Sequence, residues 1–212
     1  MSTTRPPEAD PAQTEASPLH PTPGTSGAAL ALRQPIEIGA SSGRWRLVVG
    51  PRSLNATMLL AIARMAENGP VRVLDGGNRF NAYPVARAAR GRPEVLNRIT
   101  VSRAFTCYQV LSLLESTPAL QARPAPLRLV TLDLLNTFYD ESVRARERKQ
   151  LLESCIAQLE RLAVNAGAIS VHPPAKMSET AVELLERLKT SPAVETFFVE
   201  VAPPPAEPLR LF

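Results

Sequence analysis

The chain has 212 residues and a formal net charge of +4, and 44% of its residues are hydrophobic. This length allows one sizeable hydrophobic core, and no apolar run reaches the roughly 18 residues that a membrane helix needs. No apolar run follows a basic start at the N-terminus, so we expect a cytoplasmic protein without a secretory signal or a membrane segment.

Proline-rich segments mark the two ends of the chain. Seven of the 21 prolines fall within residues 1–35, a segment that contains no aromatic residue. Such a composition buries too little apolar surface to offset the entropy of ordering. We therefore expect a disordered N-terminal tail over residues 1–35, one folded domain over 36–202, and a flexible C-terminal tail over 203–212.

Short apolar runs and helical patterns alternate between these tails. The pattern predicts strands, in chain order, over 44–50, 71–75, 98–103, 127–135, 167–172 and 196–201. It predicts helices over 54–67, 82–90, 108–115, 144–165 and 178–189. This alternation is typical of an α/β fold with a mainly parallel sheet and helices on both faces.

Ligands of such folds bind where the parallel strands end. Four segments leave strands at that edge: 50–57, 75–81, 133–140 and 171–176. A small-molecule site, if the chain has one, is expected among them.

The cysteines and histidines do not indicate a metal site. Cys107 and Cys155 lie in predicted helices without metal-ligand spacing, and we interpret them as reduced thiols of the core. His20 and His172 are isolated from each other in the sequence, so we expect no metal. His172, beside Pro173, is interpreted as a loop residue.

The order of several motifs resembles the ATPase core of the RecA-like recombinases, especially the archaeal and eukaryotic RadA-type branch. The likeness covers roughly residues 40–175. "GPRSLNAT", from Gly50 to Thr57, stands at the phosphate-loop position, and "RVLDGGNRF" stands where the family has a strand ending in Asp-Thr-Glu-Gly-Thr-Phe. "RAFTCYQVLSLLE" matches a family segment that begins Arg-Ala-Phe, and "LRLVTLDLL", ending around Asp133, matches the second nucleotide motif. The resemblance implies a RecA-like three-layer sandwich of the P-loop type.

The chain departs from the family at the residues that perform catalysis. Ala56 stands in place of the lysine that reaches the phosphates, and Asn55 in place of the glycine before it. The catalytic glutamate of the family falls on Gly77, so no base remains there to orient water. The resemblance therefore implies a pseudo-ATPase with no catalytic residue and no required cofactor.

The resemblance leaves Gly50, Thr57 and Asp133 as a vestigial nucleotide site, with the hydroxyl and the carboxylate that would touch magnesium. Residual ATP binding there would depend on the backbone N–H groups at a helix start, which favour anions. Ordinary structural roles are the alternatives. Gly50–Thr57 would then be a plain strand-to-helix connection with Ser53 or Asn55 as helix cap, and Asp133 would cap a neighbouring loop. Asp75, Gly76 and Gly77 would form a turn.

A basic run at the start of the predicted long helix raises the question of DNA binding. In the resembled family, the loop before this helix touches single-stranded DNA. Basic side chains would contact phosphates there and aromatic ones would stack on bases. We call the candidate residues the predicted rim: Phe138, Tyr139, Arg144, Arg146, Arg148 and Lys149. The alternative is a solvated helix start.

Two functions are compatible with this sequence. The first is a non-catalytic recombinase paralogue that supports recombination or repair by binding DNA or a RecA/RadA-type recombinase. The second is a RecA-fold regulatory or scaffold protein that does not act on DNA.

Overall fold

A computed structural model describes residues 43–119 and 127–198, with side-chain surroundings described up to residue 196. The two predicted tails, 1–35 and 203–212, lie outside the described residues. Six strands are present: β1 (Trp45–Val49), β2 (Val71–Asp75), β3 (Ile99–Arg103), β4 (Arg128–Leu132), β5 (Ala168–Val171) and β6 (Val194–Phe198). Six α-helices connect them: α1 (Asn55–Asn68), α2 (Ala82–Ala88), α3 (Pro93–Asn97), α4 (Cys107–Ser116), α5 (Ala145–Arg161) and α6 (Glu179–Lys189).

The strands form one parallel sheet in the order β3-β2-β4-β5-β1-β6. Side chains alternate between the faces along each strand, so the sheet carries two separate cores. On β1, Leu47 and Val49 belong to the core packed against α4, α5 and α6, whereas Val48 belongs to the core under α1, α2 and α3. The predicted fold class is confirmed: this is an α/β fold with one all-parallel six-stranded sheet and helices on both faces, consistent with a RecA-like three-layer sandwich.

The apolar stripes predicted for the two longest helices are buried. In α1 they include Met58 and Ile62, and in α5 they include Leu152, Ile156 and Leu159. Trp45 of β1 is completely buried, and its indole Nε1 donates a hydrogen bond of 2.8 Å to the carbonyl of Leu159. This bond satisfies the one polar atom of a large side chain and fixes α5 against the sheet.

Several element boundaries differ from the sequence prediction. The long helix ends at Arg161 instead of Asn165, and residues Ala163–Asn165 form a separate 3-10 turn. Helix α3 was not predicted; Pro93 occupies its first turn, where a missing N–H is tolerated. Strand β6 begins two residues earlier than expected, at Val194.

The two cysteines are free thiols inside the core, as predicted. Burial raises the pKa of the Cys155 thiol to about 12, and burial also raises the pKa of the Cys107 thiol. We expect neither thiol to react with a disulfide reagent at pH 8 in the folded protein, and both to react in concentrated urea, because the thiolate is the reactive form.

The raised pKa of the Cys155 thiol also predicts how the stability of the protein depends on pH. The unfolded thiol ionises near pH 9 but the folded Cys155 does not, so its contribution to stability is complete below pH 9 and is lost as the pH rises towards 12. Rapid labelling of Cys107 or Cys155 in the native protein at pH 8 would contradict the assignment of both cysteines as buried, protonated thiols.

Candidate functional site

Four strands that are neighbours in the sheet bring the predicted site segments together. Strands β2, β4, β5 and β1 lie side by side, and all run in the same direction. Their carboxyl ends therefore release the segments starting at Gly50, Gly76, Asp133 and His172 at one edge of the sheet. Gly50 and Asp133 therefore lie at the same edge of the sheet.

Asp133 is at the centre of this edge and is fully buried. Its Oδ1 accepts a hydrogen bond of 3.0 Å from the backbone N–H of His172, and its Oδ2 accepts one of 2.7 Å from Nε of Arg79. Its own N–H donates to Oγ of Ser170 at 2.9 Å. Asp133 therefore fastens the loops after β4, β5 and β2 to one another, which is the loop-capping role.

Arg79 connects the two buried carboxylates of the site. Its backbone N–H donates to Asp75 Oδ1 at 2.7 Å, while its guanidinium pairs with Asp133 and donates to Asn136 Oδ1 at 3.3 Å. The second oxygen of Asp75 accepts from the N–H of Phe80 at 2.9 Å. The segment after β2 is thus a turn closed on Asp75, and an arginine supplies the positive charge beside Asp133.

Gly77 is packed directly against Asp133. A Cβ added at Gly77 would lie 2.5 Å from Cβ and 2.7 Å from Oδ2 of Asp133. Both residues are buried, so a side chain added at Gly77 could be accommodated only if Asp133 shifted. The position where the resembled family carries its catalytic glutamate has no room for any side chain.

The segment Gly50–Thr57 is not an open phosphate loop. After Gly50 and the extended Pro51, residues Arg52–Leu54 form a 3-10 turn that runs directly into α1. Ala56 is exposed, and Thr57 is half-buried with no hydrogen bond to Asp133. The chain therefore continues as a helix where a phosphate loop would remain wide.

The predicted helix caps in this segment were wrong. Neither the 3-10 turn nor α1 has a side-chain cap, so Ser53 and Asn55 do not play that role. Instead, Nδ2 of Asn55 donates a hydrogen bond of 2.8 Å to the carbonyl of Arg79. Asn55 therefore joins the start of α1 to the segment that carries the arginine.

His172 has a structural role that the sequence analysis missed. It is buried, and its Nδ1 lies 3.0 Å from the carbonyl oxygen of Gly50. A carbonyl only accepts hydrogen bonds, so Nδ1 carries the proton. The backbone N–H of His172 also donates a hydrogen bond to Asp133. Through these two bonds His172 joins the loop after β5 to the loop after β1. No local pattern signalled this role, or that of Arg79, because both depend on contacts with distant segments.

Three of the six residues of the predicted rim are buried or partly buried. Phe138 is completely buried in a 3-10 turn (Asn136–Tyr139), and Arg148 is 5% exposed. The guanidinium of Arg148 turns inward, where Nη1 donates 3.0 Å to the carbonyl of Phe138. Tyr139 is partly buried in the same core, and burial raises its pKa. Stacking of Phe138 or Tyr139 on bases and phosphate contact by Arg148 were therefore wrong expectations.

Three rim residues remain accessible. Lys149 is exposed but forms an ion pair with Glu183 of α6. Arg144 and Arg146 are exposed at the start of α5. Within the predicted rim, only Arg144 and Arg146 are both accessible and unpaired among the described residues, as the DNA hypothesis requires.

Within the described ranges 43–119 and 127–198, no group of three acidic, histidine or cysteine side chains is placed to hold a metal ion. In the same ranges, no helix combines the length and apolar character needed to cross a bilayer. Comparison with protein-family models gave no match for this chain, and comparison with curated proteins gave none either.

Proposed function

We propose that this chain is a non-catalytic paralogue of the RecA/RadA-type recombinases that acts in the cytoplasm by binding a recombinase or DNA. This proposal rests on one observation. At the edge of the sheet where β2, β4, β5 and β1 end, protein groups occupy the places that a nucleotide and a catalytic base would need. The Arg79 guanidinium holds the Asp133 carboxylate at 2.7 Å, and Gly77 leaves no space for a base. The three-layer fold supports descent from an ATPase, and the filled edge supports the loss of its chemistry.

The phosphate contacts of a nucleotide are also missing from the α1 end of the site. A phosphate loop works by wrapping backbone N–H groups around the phosphate oxygens, with a lysine at its end. Here the 3-10 turn closes that space, and Ala56 offers no charge. A fold of this kind without turnover is best suited to acting through its surfaces.

The second candidate is a regulatory or scaffold protein of the same fold that does not act on DNA. It is favoured by the burial of Phe138 and Arg148 and by the ion pair of Lys149, which together leave only Arg144 and Arg146 of the predicted rim. Two exposed arginines support only weak, salt-sensitive binding.

Nucleotide turnover tests the loss of chemistry. We expect magnesium-dependent ATP hydrolysis at background level for the parent and for Ala56→Lys, because a lysine at the exposed position 56 replaces neither the base nor the open loop. Turnover that co-purifies with the chain and disappears in Thr57→Ala would refute the proposal, since Thr57 is the hydroxyl that an active site would place on magnesium.

Partner binding separates the two candidate functions. The labelled chain is titrated with a RadA-type recombinase and, separately, with single-stranded DNA at low salt. Binding of either supports the paralogue. If the chain binds neither and co-purifies with a protein of another kind, the scaffold function replaces it.

A further inference from the structure

Charge is distributed unequally between the two helical layers. The layer of α4, α5 and α6 is balanced, with eight basic and nine acidic residues over 104–119, 136–165 and 173–193. The layer of α1, α2 and α3, over 52–68 and 82–98, has six arginines and only two glutamates: Arg52, Arg64, Arg87, Arg90, Arg92, Arg98, Glu67 and Glu94. The basic side of the described fold is therefore the α1–α3 layer, and not the predicted rim at the start of α5.

Two of these arginines hold the layer together. Arg92 pairs with the carboxylate of Glu67 at 2.7 Å, and Arg98 donates to the backbone carbonyl of Glu67 at 2.8 Å. Both bonds connect the end of α1 to the segment around α3. Arg64 lies on α1, about one helical turn before Glu67.

The other arginines at this end of the layer have no role inside the described fold. Arg64, Arg87 and Arg90 are exposed, and their side chains form no hydrogen bond or ion pair among the described residues. We call these three residues the arginine face. Because Glu67 is already paired with Arg92, no free carboxylate of α1 neutralises the face.

An exposed aromatic ring lies in line with the arginine face. Tyr83, at the start of α2, is 72% exposed, and Arg87 follows it by one turn on the same side of the helix. Arg90 continues this line in the turn after α2. A ring beside guanidinium groups suits an unpaired base next to its phosphates.

We propose that Tyr83 and the arginine face bind single-stranded nucleic acid. Arginine side chains donate two parallel hydrogen bonds to phosphate oxygens, and the ring of Tyr83 stacks on one base. A duplex offers no free base to Tyr83, and an acidic protein segment would use the hydroxyl of Tyr83 and not the face of its ring. This inference rests on the proposed function only in making nucleic acid a partner, and it assigns the contact to a different face from the predicted rim.

The test is a titration of a labelled oligothymidylate with the full chain over a series of salt concentrations. Three phosphate contacts predict that the logarithm of the association constant falls with the logarithm of salt with a slope of about −2. Changing Arg87 and Arg90 together to alanine is expected to reduce this slope to about −0.7, because two of the contacts are lost. The variant Arg144→Ala with Arg146→Ala removes the same charge from the predicted rim and is expected to leave the slope unchanged.

Tyr83 provides an independent readout. We expect Tyr83→Ala to weaken binding about 5- to 150-fold, and Tyr83→Phe, which keeps the ring, to bind like the parent. None of these side chains bonds within the described fold, so the variants are expected to melt like the parent, and circular dichroism checks this.

Three outcomes would overturn the inference. The first is an unchanged salt slope when Arg87 and Arg90 are replaced. The second is binding that is lost only when the rim is changed, which leaves the proposed function intact. The third is equal competition by polyglutamate with no effect of Tyr83→Ala, which would make the face a docking site for an acidic protein.

Discussion

Gly77→Glu, which would restore the catalytic base of the resembled family, is expected to unfold the protein instead of reviving hydrolysis. The first added carbon alone would lie 2.5 Å from Cβ of Asp133, and overpacking of a buried position costs about 1–3 kcal/mol. The new carboxylate would also be forced next to the buried Asp133 and would compete for Arg79. Separating a buried ion pair costs a further roughly 3–5 kcal/mol.

The two costs of Gly77→Glu together are comparable to the whole free energy of unfolding of a typical domain, about 5–15 kcal/mol. Urea denaturation measures this loss of stability, and Ala56→Glu is the matched control. That variant adds the same side chain at an exposed position of α1, so it is expected to unfold at the parent's midpoint. A folded Gly77→Glu protein with the parent's midpoint would mean that Gly77 does not contact Asp133.

Asp133→Ala is expected to lower the free energy of unfolding by about 3–5 kcal/mol, because it leaves the Arg79 guanidinium and the His172 N–H without their buried acceptor. A second penalty comes from the backbone. Asp133 has φ +51°, a left-handed conformation that costs most residues about 1–2 kcal/mol but that aspartate and asparagine tolerate.

Asp133→Asn separates these two effects. Asparagine keeps the left-handed conformation and one acceptor oxygen but removes the charge, so its stability should fall between those of the parent and the alanine variant. Glu141→Ala, which removes an exposed carboxylate from the same loop, serves as the control. If Asp133→Ala unfolds at the same denaturant concentration as Glu141→Ala, the carboxylate does not hold the loops together.

Under the proposed function, the hydrogen bonds at this edge of the sheet also explain why single substitutions should not restore an ATPase. Ala56 and Gly77, at the positions of the resembled family's lysine and glutamate, are not independent gaps in an otherwise intact site. Around them, Asn55, Arg79 and His172 form bonds that link all four loops. Recovery of turnover would require dismantling these bonds, and with them part of the fold's stability.

The sequence by itself determined the parallel sheet and the order of the elements, apart from the short helix α3. These properties follow from local periodicity: the apolar positions of α1 and α5 recur at helical spacing, and the strands are short continuous apolar runs. It also placed Gly50 and Asp133 at one edge, because all strands of such a sheet end on the same side. The expectation that Ala56 and Gly77 do not take the roles of the resembled family's lysine and glutamate needed only the residue identities.

Only the tertiary structure decided what the polar and aromatic side chains do. Phe138 and Arg148 stand in a loop and a basic run that a sequence pattern assigns to solvent, yet the 3-10 turn of residues 136–139 buries both. The partners of Arg79 and His172 are 54 and 39 residues away in the chain, at Asp133. The fold likewise decides that Glu67 pairs with Arg92, while the side chains of Arg64, Arg87 and Arg90 form no bond among the described residues. Periodicity records which side of an element is apolar, but the partner of a charged group is set by chain segments that meet only after folding.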